Sequence, residues 1–177
     1  NGFKVFWEDG AQVTIPHDKN IIDEVNKIDD PSKVKFAPEG AAKPVMIGKE
    51  VDEAFFSSVL SLMLSPESVA RHKDLKIVYT PLHGTGIKTV PEVIRRMGFE
   101  NLYIVKEQAV GDGNFPTVVS PNPEEPTAMK MAMDLAAETG ADMVFGSDPD
   151  ADRIGLAVRD EKGGLKLLTG KQILAIL

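Results

Sequence analysis

The seven residues Ser147-Asp148-Pro149-Asp150-Ala151-Asp152-Arg153 carry the groups in this chain best suited to chemistry. Three aspartates alternate with small or rigid residues. In an extended segment, side chains two apart point the same way, so the carboxylates of Asp148, Asp150 and Asp152 converge on one side. Converging carboxylates repel one another unless a cation lies among them, and an all-oxygen donor set suits a hard divalent ion such as Mg2+. Arg153 follows at once, and a guanidinium matches a phosphate through two parallel hydrogen bonds. Together these groups make a setting for phosphate chemistry around a metal. The plain alternative is a solvated acidic turn. The flanks bear on that choice: residues 141–146 and 154–158 read as short buried strands, and a polar loop pinned between core strands is a typical place for a site.

The elements that must hold this loop can be read from periodicity. Lys76–Thr80 is a strand, 86–97 a helix, 102–106 a strand, 127–139 a helix rich in Ala and Met, and 142–145 a strand. Such a β-α-β-α-β run predicts a parallel sheet with right-handed crossovers. Only eight residues separate Phe145 from Ile154, too few for a crossover, so the strand from Ile154 is expected to return antiparallel. Glu161-Lys162-Gly163-Gly164 then turns the chain into a last strand over 165–168. The expected class is α/β, a three-layer α/β/α arrangement with a mixed, mostly parallel sheet. Before it come a hairpin (3–7 and 11–15, turned at Glu8-Asp9-Gly10), a helix over 18–28, and a polar connection to Lys43. Helices over about 51–64 and on to about 72 follow.

Two further loops invite a functional reading. Tyr79-Thr80-Pro81-Leu82-His83-Gly84-Thr85-Gly86 lies where a strand gives way to a helix, a position that can hold an anion. It lacks the G-K-[ST] ending of a P-loop, and a tight βα turn is the better account of its glycines. His83 suits either catalysis or a hydrogen-bonded structural role. The segment from Gly111-Asp112-Gly113-Asn114-Phe115-Pro116 to Ser120-Pro121-Asn122-Pro123-Glu124-Glu125-Pro126 reads as a long, rigid loop. Asn122 is a candidate helix cap ahead of Pro126. The methionines at 129, 131, 133 and 143 read as packing residues rather than metal ligands.

Bulk properties narrow the classes. Hydrophobic content of 42% and charged content of 27% over 177 residues describe an ordinary globular chain. A formal charge of -7, with no basic cluster, argues against a nucleic-acid surface. No apolar run approaches a membrane span, and no signal peptide is evident. The absence of cysteine excludes disulfides, thiolate metal sites and cysteine catalysis, and a cytoplasmic protein is the natural expectation. The strand-like start at Asn1 and the apolar run Gln172-Ile173-Leu174-Ala175-Ile176-Leu177 both look cut from something longer.

Taken together, these pieces resemble the α-D-phosphohexomutases, the family of phosphoglucomutase and phosphomannomutase. Asp148-Pro149-Asp150-Ala151-Asp152-Arg153 is similar to that family's magnesium loop, commonly D-G-D-G-D-R and in the phosphoglucomutase-like branch often D-P-D-A-D-R. Asn1-Gly2-Phe3-Lys4-Val5-Phe6 looks like the strand after the family's serine loop. Thr80–Gly86, and Phe115-Pro116 with Pro121-Asn122-Pro123-Glu124, look like loops of its second domain. The resemblance implies residues 1–43 as the end of domain one with a connection, 44–168 as domain two, and 169–177 as the start of domain three. It implies interconversion of hexose 1-phosphate and hexose 6-phosphate through a phosphoserine and a bisphosphate. It also implies Asp148, Asp150 and Asp152 as Mg2+ ligands, and Arg153 near the transferring phosphate. The implied partners are a hexose phosphate and the remaining domains of the same protein, with no nucleic acid and no membrane.

This chain departs from the family pattern in three ways. The serine motif T-x-S-H-N-P, the sugar-recognition motif G-E-x-S-G-x and the C-terminal phosphate-binding domain are absent. Ser120-Pro121-Asn122-Pro123 is no substitute, because no His occupies the required place. The segment is therefore expected to be inactive by itself. Pro149 should stiffen the loop, and Ala151 disfavours a positive φ that glycine would permit. Rival readings fit less well. An EF-hand would need glycine where Arg153 stands and glutamate at Arg159. A haloacid-dehalogenase-like phosphatase would need Thr or Val at Ile154 and motifs well downstream. A non-catalytic α/β module for interdomain contact or metal binding remains open for the isolated segment.

Overall fold

The computed structural model describes residues 4–176, so the first expected hairpin residue, Phe3, and the terminal Leu177 lie outside the described residues. The chain divides into two compact units, one up to Met46 and one from Ile47.

In the first unit the expected hairpin reduces to a single antiparallel bridge between Phe6 and Gln12. The Val13 N–H donates to the Val5 carbonyl (3.0 Å) and the Trp7 N–H to that of Ala11 (2.9 Å). Gly10, at φ +81°, closes the turn, and the Asp9 carboxylate accepts the Ala11 N–H at 2.9 Å. Helix α1 spans His17–Val25, three residues short of expectation. Beyond it, Lys27 and Ile28 donate to carbonyls three residues back, a tightened last turn that ends the α-helical ladder.

The second unit opens with α2 (Lys49–Ser61) and α3 (Pro66–Arg71), followed by β1 (Lys76–Thr80). The single helix expected over 86–97 is two pieces, a 3-10 turn over Thr85–Lys88 and then α4 (Val90–Met97). The break has a covalent reason. Pro91 has no N–H to continue the earlier turn, but it sits comfortably in the first turn of a new helix. β2 (Asn101–Ile104), α5 (Pro126–Thr139), β3 (Met143–Ser147), β4 (Ile154–Arg159), β5 (Leu165–Leu167) and α6 (Gly170–Ile176) complete the unit. The cap of α5 is Glu125 rather than Asn122, because Pro126 takes the first helical position. Asn122 instead makes a local turn, its side-chain oxygen accepting the Glu124 N–H at 3.1 Å.

The five strands form one sheet in the order β2-β1-β3-β4-β5. β1 is parallel to both β2 and β3, and β4 runs antiparallel to β3 and β5, as the short connection before Ile154 requires. Strand alternation sends Val78 and Val144 to one face, where Met129, Ala132 and Ala136 of α5 bury against them. Ile77, Tyr79 and Phe145 point to the other face, where Ile94 and Met97 of α4 line the same groove. Helices on both faces make the three-layer α/β/α architecture. Small residues on α5 let it lie close to the sheet. A Cβ at Gly155 would fall 2.2 Å from the Pro123 carbonyl oxygen, so the approach of the loop before α5 requires glycine on β4.

Arg96 joins α2 to α4. Its guanidinium donates to both carboxylate oxygens of Glu53 (2.6 and 2.7 Å) and to Glu92 (2.7 Å), and it stands 4.5 Å from the centre of the Phe56 ring. That guanidinium holds the Glu53 carboxyl below its ordinary range.

Met129 is fully buried at the centre of the α5 face. Met129→Ala should therefore destabilise the chain by about 2–5 kcal/mol. Urea unfolding checks this: the midpoint should fall at unchanged slope, and a loss under about 1 kcal/mol would mean that α5 does not carry the core.

Candidate metal centre

β1 and β3 are neighbours and parallel, with Thr80 opposite Gly146, so the loops that follow them emerge side by side from the same edge of the sheet. β2 and β3 flank β1, and the crossovers after β1 and β2 run over opposite faces. The carboxyl ends of parallel strands at such a reversal form a natural crevice for ligands.

The acidic loop follows β3. It is not the extended segment that alternation alone suggests. The Ala151 N–H donates to the Asp148 carbonyl at 3.0 Å, closing a turn, and Ala151 takes a left-handed φ of +60°. An alanine there stores strain that glycine would avoid, and such strain persists only where the surroundings over-determine it. The three carboxylates still meet: Asp148, Asp150 and Asp152 each offer a ligand atom, all within 4.8 Å of one another. The convergence comes from a turn and a kink in place of strand alternation.

The carboxylates differ in setting. Asp148 is buried at 8% exposure, while Asp150 and Asp152 are exposed. Burial pushes the Asp148 carboxyl above its ordinary value, against the Arg153 N–H that donates to it (3.0 Å), and the charges of Asp150 and Asp152 push it further up. An ionised Asp148 is thus a cost to the fold, and a cation among the three oxygens would offset it. The donor set is all oxygen and anionic, fitting a hard divalent cation. The Arg153 side chain is mostly exposed, with Nε 3.9 Å from both Asp148 and Asp152. It is a loose ion pair at the rim of the acidic cluster.

The glycine loop after β1 packs directly on this loop, a contact the sequence pattern did not disclose. The Thr85 N–H and hydroxyl both donate to the Pro149 carbonyl, at 2.9 and 3.2 Å. A Cβ on Gly84 would fall 2.3 Å from the Pro149 Cα. Behind them, the hydroxyls of Tyr79 and Ser147 share a buried hydrogen bond of 2.8 Å between the two strand ends. Two glycines flanking a threonine at the end of a parallel strand were the available signal. Their partner could not be named without the strand order. His83 is buried and hydrogen-bonded, with Nδ1 2.9 Å from the Val110 carbonyl and Nε2 2.8 Å from the Thr117 hydroxyl. Of its two sequence readings, this geometry carries the structural one. Ser120 donates to Glu125 at 3.1 Å in the loop before α5.

Residues 53–163 match the family described as phosphoglucomutase/phosphomannomutase, alpha/beta/alpha domain II. A phosphoglucomutase from Staphylococcus epidermidis is 34% identical over 181 residues, covering 100% of this chain and 32% of that protein. A phosphoglucomutase from Staphylococcus aureus is 32% identical over 180 residues, with the same coverage of 100% and 32%. The chain thus spans about a third of the length of the curated relatives it matches. A solved structure of a phosphoglucomutase/phosphomannomutase family protein from Burkholderia thailandensis aligns with a TM-score of 0.49 and 22% identity, covering 65% of this chain and 22% of that one.

Replacing Asp150 by Asn removes one charge from the cluster at an exposed position. Affinity for Mn2+ or Mg2+ should fall at least about tenfold, or ~1.4 kcal/mol, with little change in thermal midpoint. Calorimetric titration of the two chains decides it, and an unchanged dissociation constant would remove Asp150 from the ligand set.

Proposed function

The chain belongs to the phosphoglucomutase/phosphomannomutase family, and from that premise we propose that it is the metal-holding middle of a phosphohexomutase. In this reading residues 1–43 close a first domain, 44–168 form the second and 169–177 begin the third. The whole enzyme interconverts hexose 1-phosphate and hexose 6-phosphate through a phosphoserine and a bisphosphate intermediate. The observation that carries the reading is the group of Asp148, Asp150 and Asp152, whose ligand atoms lie within 4.8 Å of one another on the loop that resembles the family's magnesium motif.

Asp148, Asp150 and Asp152 would hold a Mg2+ ion, which when bound neutralises phosphate charge during phosphoryl transfer. The chain's own part is positional and electrostatic. Burial of Asp148 and the Arg153 N–H bond on its Oδ1 keep one carboxylate in a single orientation. The two exposed carboxylates can adjust around the ion. The Arg153 guanidinium, more than half exposed at 59%, stands at the rim to bind and orient a phosphate. The rigid stretch through Pro121, Pro123 and Pro126 limits movement of the neighbouring loop at low entropic cost. The nucleophilic serine and the sugar-reading residues belong to other domains in this reading. A cytoplasmic enzyme acting on a soluble sugar phosphate accords with it, and no helix among the described residues is long and apolar enough to cross a membrane.

Two assays test the proposal. The chain alone should show no conversion of glucose 1-phosphate to glucose 6-phosphate. The protein encoded by the complete reading frame should catalyse it, and Asp150→Asn in that protein should lower the rate about a hundredfold. A complete protein inactive on both glucose and mannose phosphates would sink the mutase reading, and full activity in the variant would sink the metal role.

A further inference from the structure

We propose that a buried polar chain, Thr80–Gln108–Thr117–His83, positions the metal loop, with His83 as the positioning residue that delivers its effect. This rests on the metal-centre reading above. The direction of three of the four side-chain links follows from the groups present. The Thr80 hydroxyl accepts the Leu82 N–H (3.2 Å) and donates to the Gln108 side-chain oxygen (2.5 Å). The Gln108 amide nitrogen donates to the Thr117 hydroxyl at 3.0 Å. The Val110 carbonyl can only accept, so His83 Nδ1 carries a proton. Nε2 is hydrogen-bonded to the Thr117 hydroxyl at 2.8 Å. Thr80 and Gln108 are fully buried, and His83 is 4% exposed.

The chain has a task that local propensity cannot perform. Leu82 and His83 both hold left-handed backbone, at φ +45° and +64°, a conformation that L-residues with a Cβ resist. The His83 N–H bond to the Gln108 carbonyl (2.9 Å) and the two imidazole bonds keep the turn in that form. The next two residues are Gly84, in backbone contact with Pro149, and Thr85, whose N–H holds the Pro149 carbonyl. Pro149 lies between Asp148 and Asp150. The turn at 82–83 therefore sets the spread of those two carboxylates.

Thr117→Val keeps shape and removes both hydroxyl bonds, two links away from the acidic loop, while Thr117→Ser keeps them. In the Val variant, amide exchange at Thr85 should quicken at least about tenfold, with Val78 and Val144 in the sheet unchanged. Mn2+ affinity by calorimetry should fall about tenfold, at the lower end of outer-shell effects. Thr117→Ser should restore both. Wild-type exchange at Thr85 in the Val variant overturns the proposal, as does faster exchange with unaltered Mn2+ affinity. If the wild-type chain takes up no Mn2+, the metal reading fails separately, and exchange at Thr85 alone decides whether the loop is positioned this way. If Val78 and Val144 lose protection, the same readings are taken on His83→Asn. Asn tolerates left-handed backbone and can still donate to Val110, but it does not reach Thr117.

Discussion

The contact between the backbone at Gly84–Thr85 and the Pro149 carbonyl governs the geometry of this site. Two loops leave adjacent parallel strands, and only the lack of a Cβ at residue 84 lets them close to van der Waals contact. Once closed, the Thr85 N–H and hydroxyl take the carbonyl of the residue that separates two of the three aspartates. A tight turn on β1 thereby becomes a brace for the acidic loop on β3. The Tyr79–Ser147 hydroxyl pair lies below that brace and joins the same two strands where their side chains are buried.

Electrostatics explains why such bracing is needed. Three carboxylates drawn within 4.8 Å of one another repel, and burial of Asp148 raises the cost of its charge. Left to itself the loop would relax by splaying. The Arg153 N–H on Asp148 and the glycine loop on Pro149 oppose that motion from two sides. Both restraints act through backbone N–H groups, the second joined by the Thr85 hydroxyl, and they leave the carboxylates of Asp150 and Asp152 and the Arg153 guanidinium exposed.

Strain is concentrated in the same place. Leu82, His83, Phe115 and Ala151 hold positive φ without being glycine, and all four lie in the loops around the acidic cluster. Conformations of this kind survive where packing and hydrogen bonds leave no alternative. Here the restraint is visible: among the described residues no buried side-chain nitrogen or oxygen lacks a hydrogen-bond partner. The rest of the second unit is conventional by comparison, an alanine-rich helix on one face of a sheet and a short helix tied by Arg96 on the other.

Much of this is legible in the sequence. Alternating apolar runs and helical spacing located β1, β3 and β4 within a residue or two. The eight-residue link before Ile154 dictated an antiparallel return, because no crossover fits in that length. The aspartate spacing marked the acidic cluster because charge and donor type are properties of side chains, independent of fold. Other features depended on residues far apart in sequence. The left-handed Ala151 runs against its intrinsic preference and stands in a turn whose Pro149 is held by a loop some sixty residues earlier. The role of His83 depended on Gln108, Val110 and Thr117 being folded back over it. Local propensity and chemistry therefore determined which elements and which acidic groups this chain has. Tertiary structure alone decided how the carboxylates converge, because that rests on strand order and on contacts between loops that no local pattern encodes.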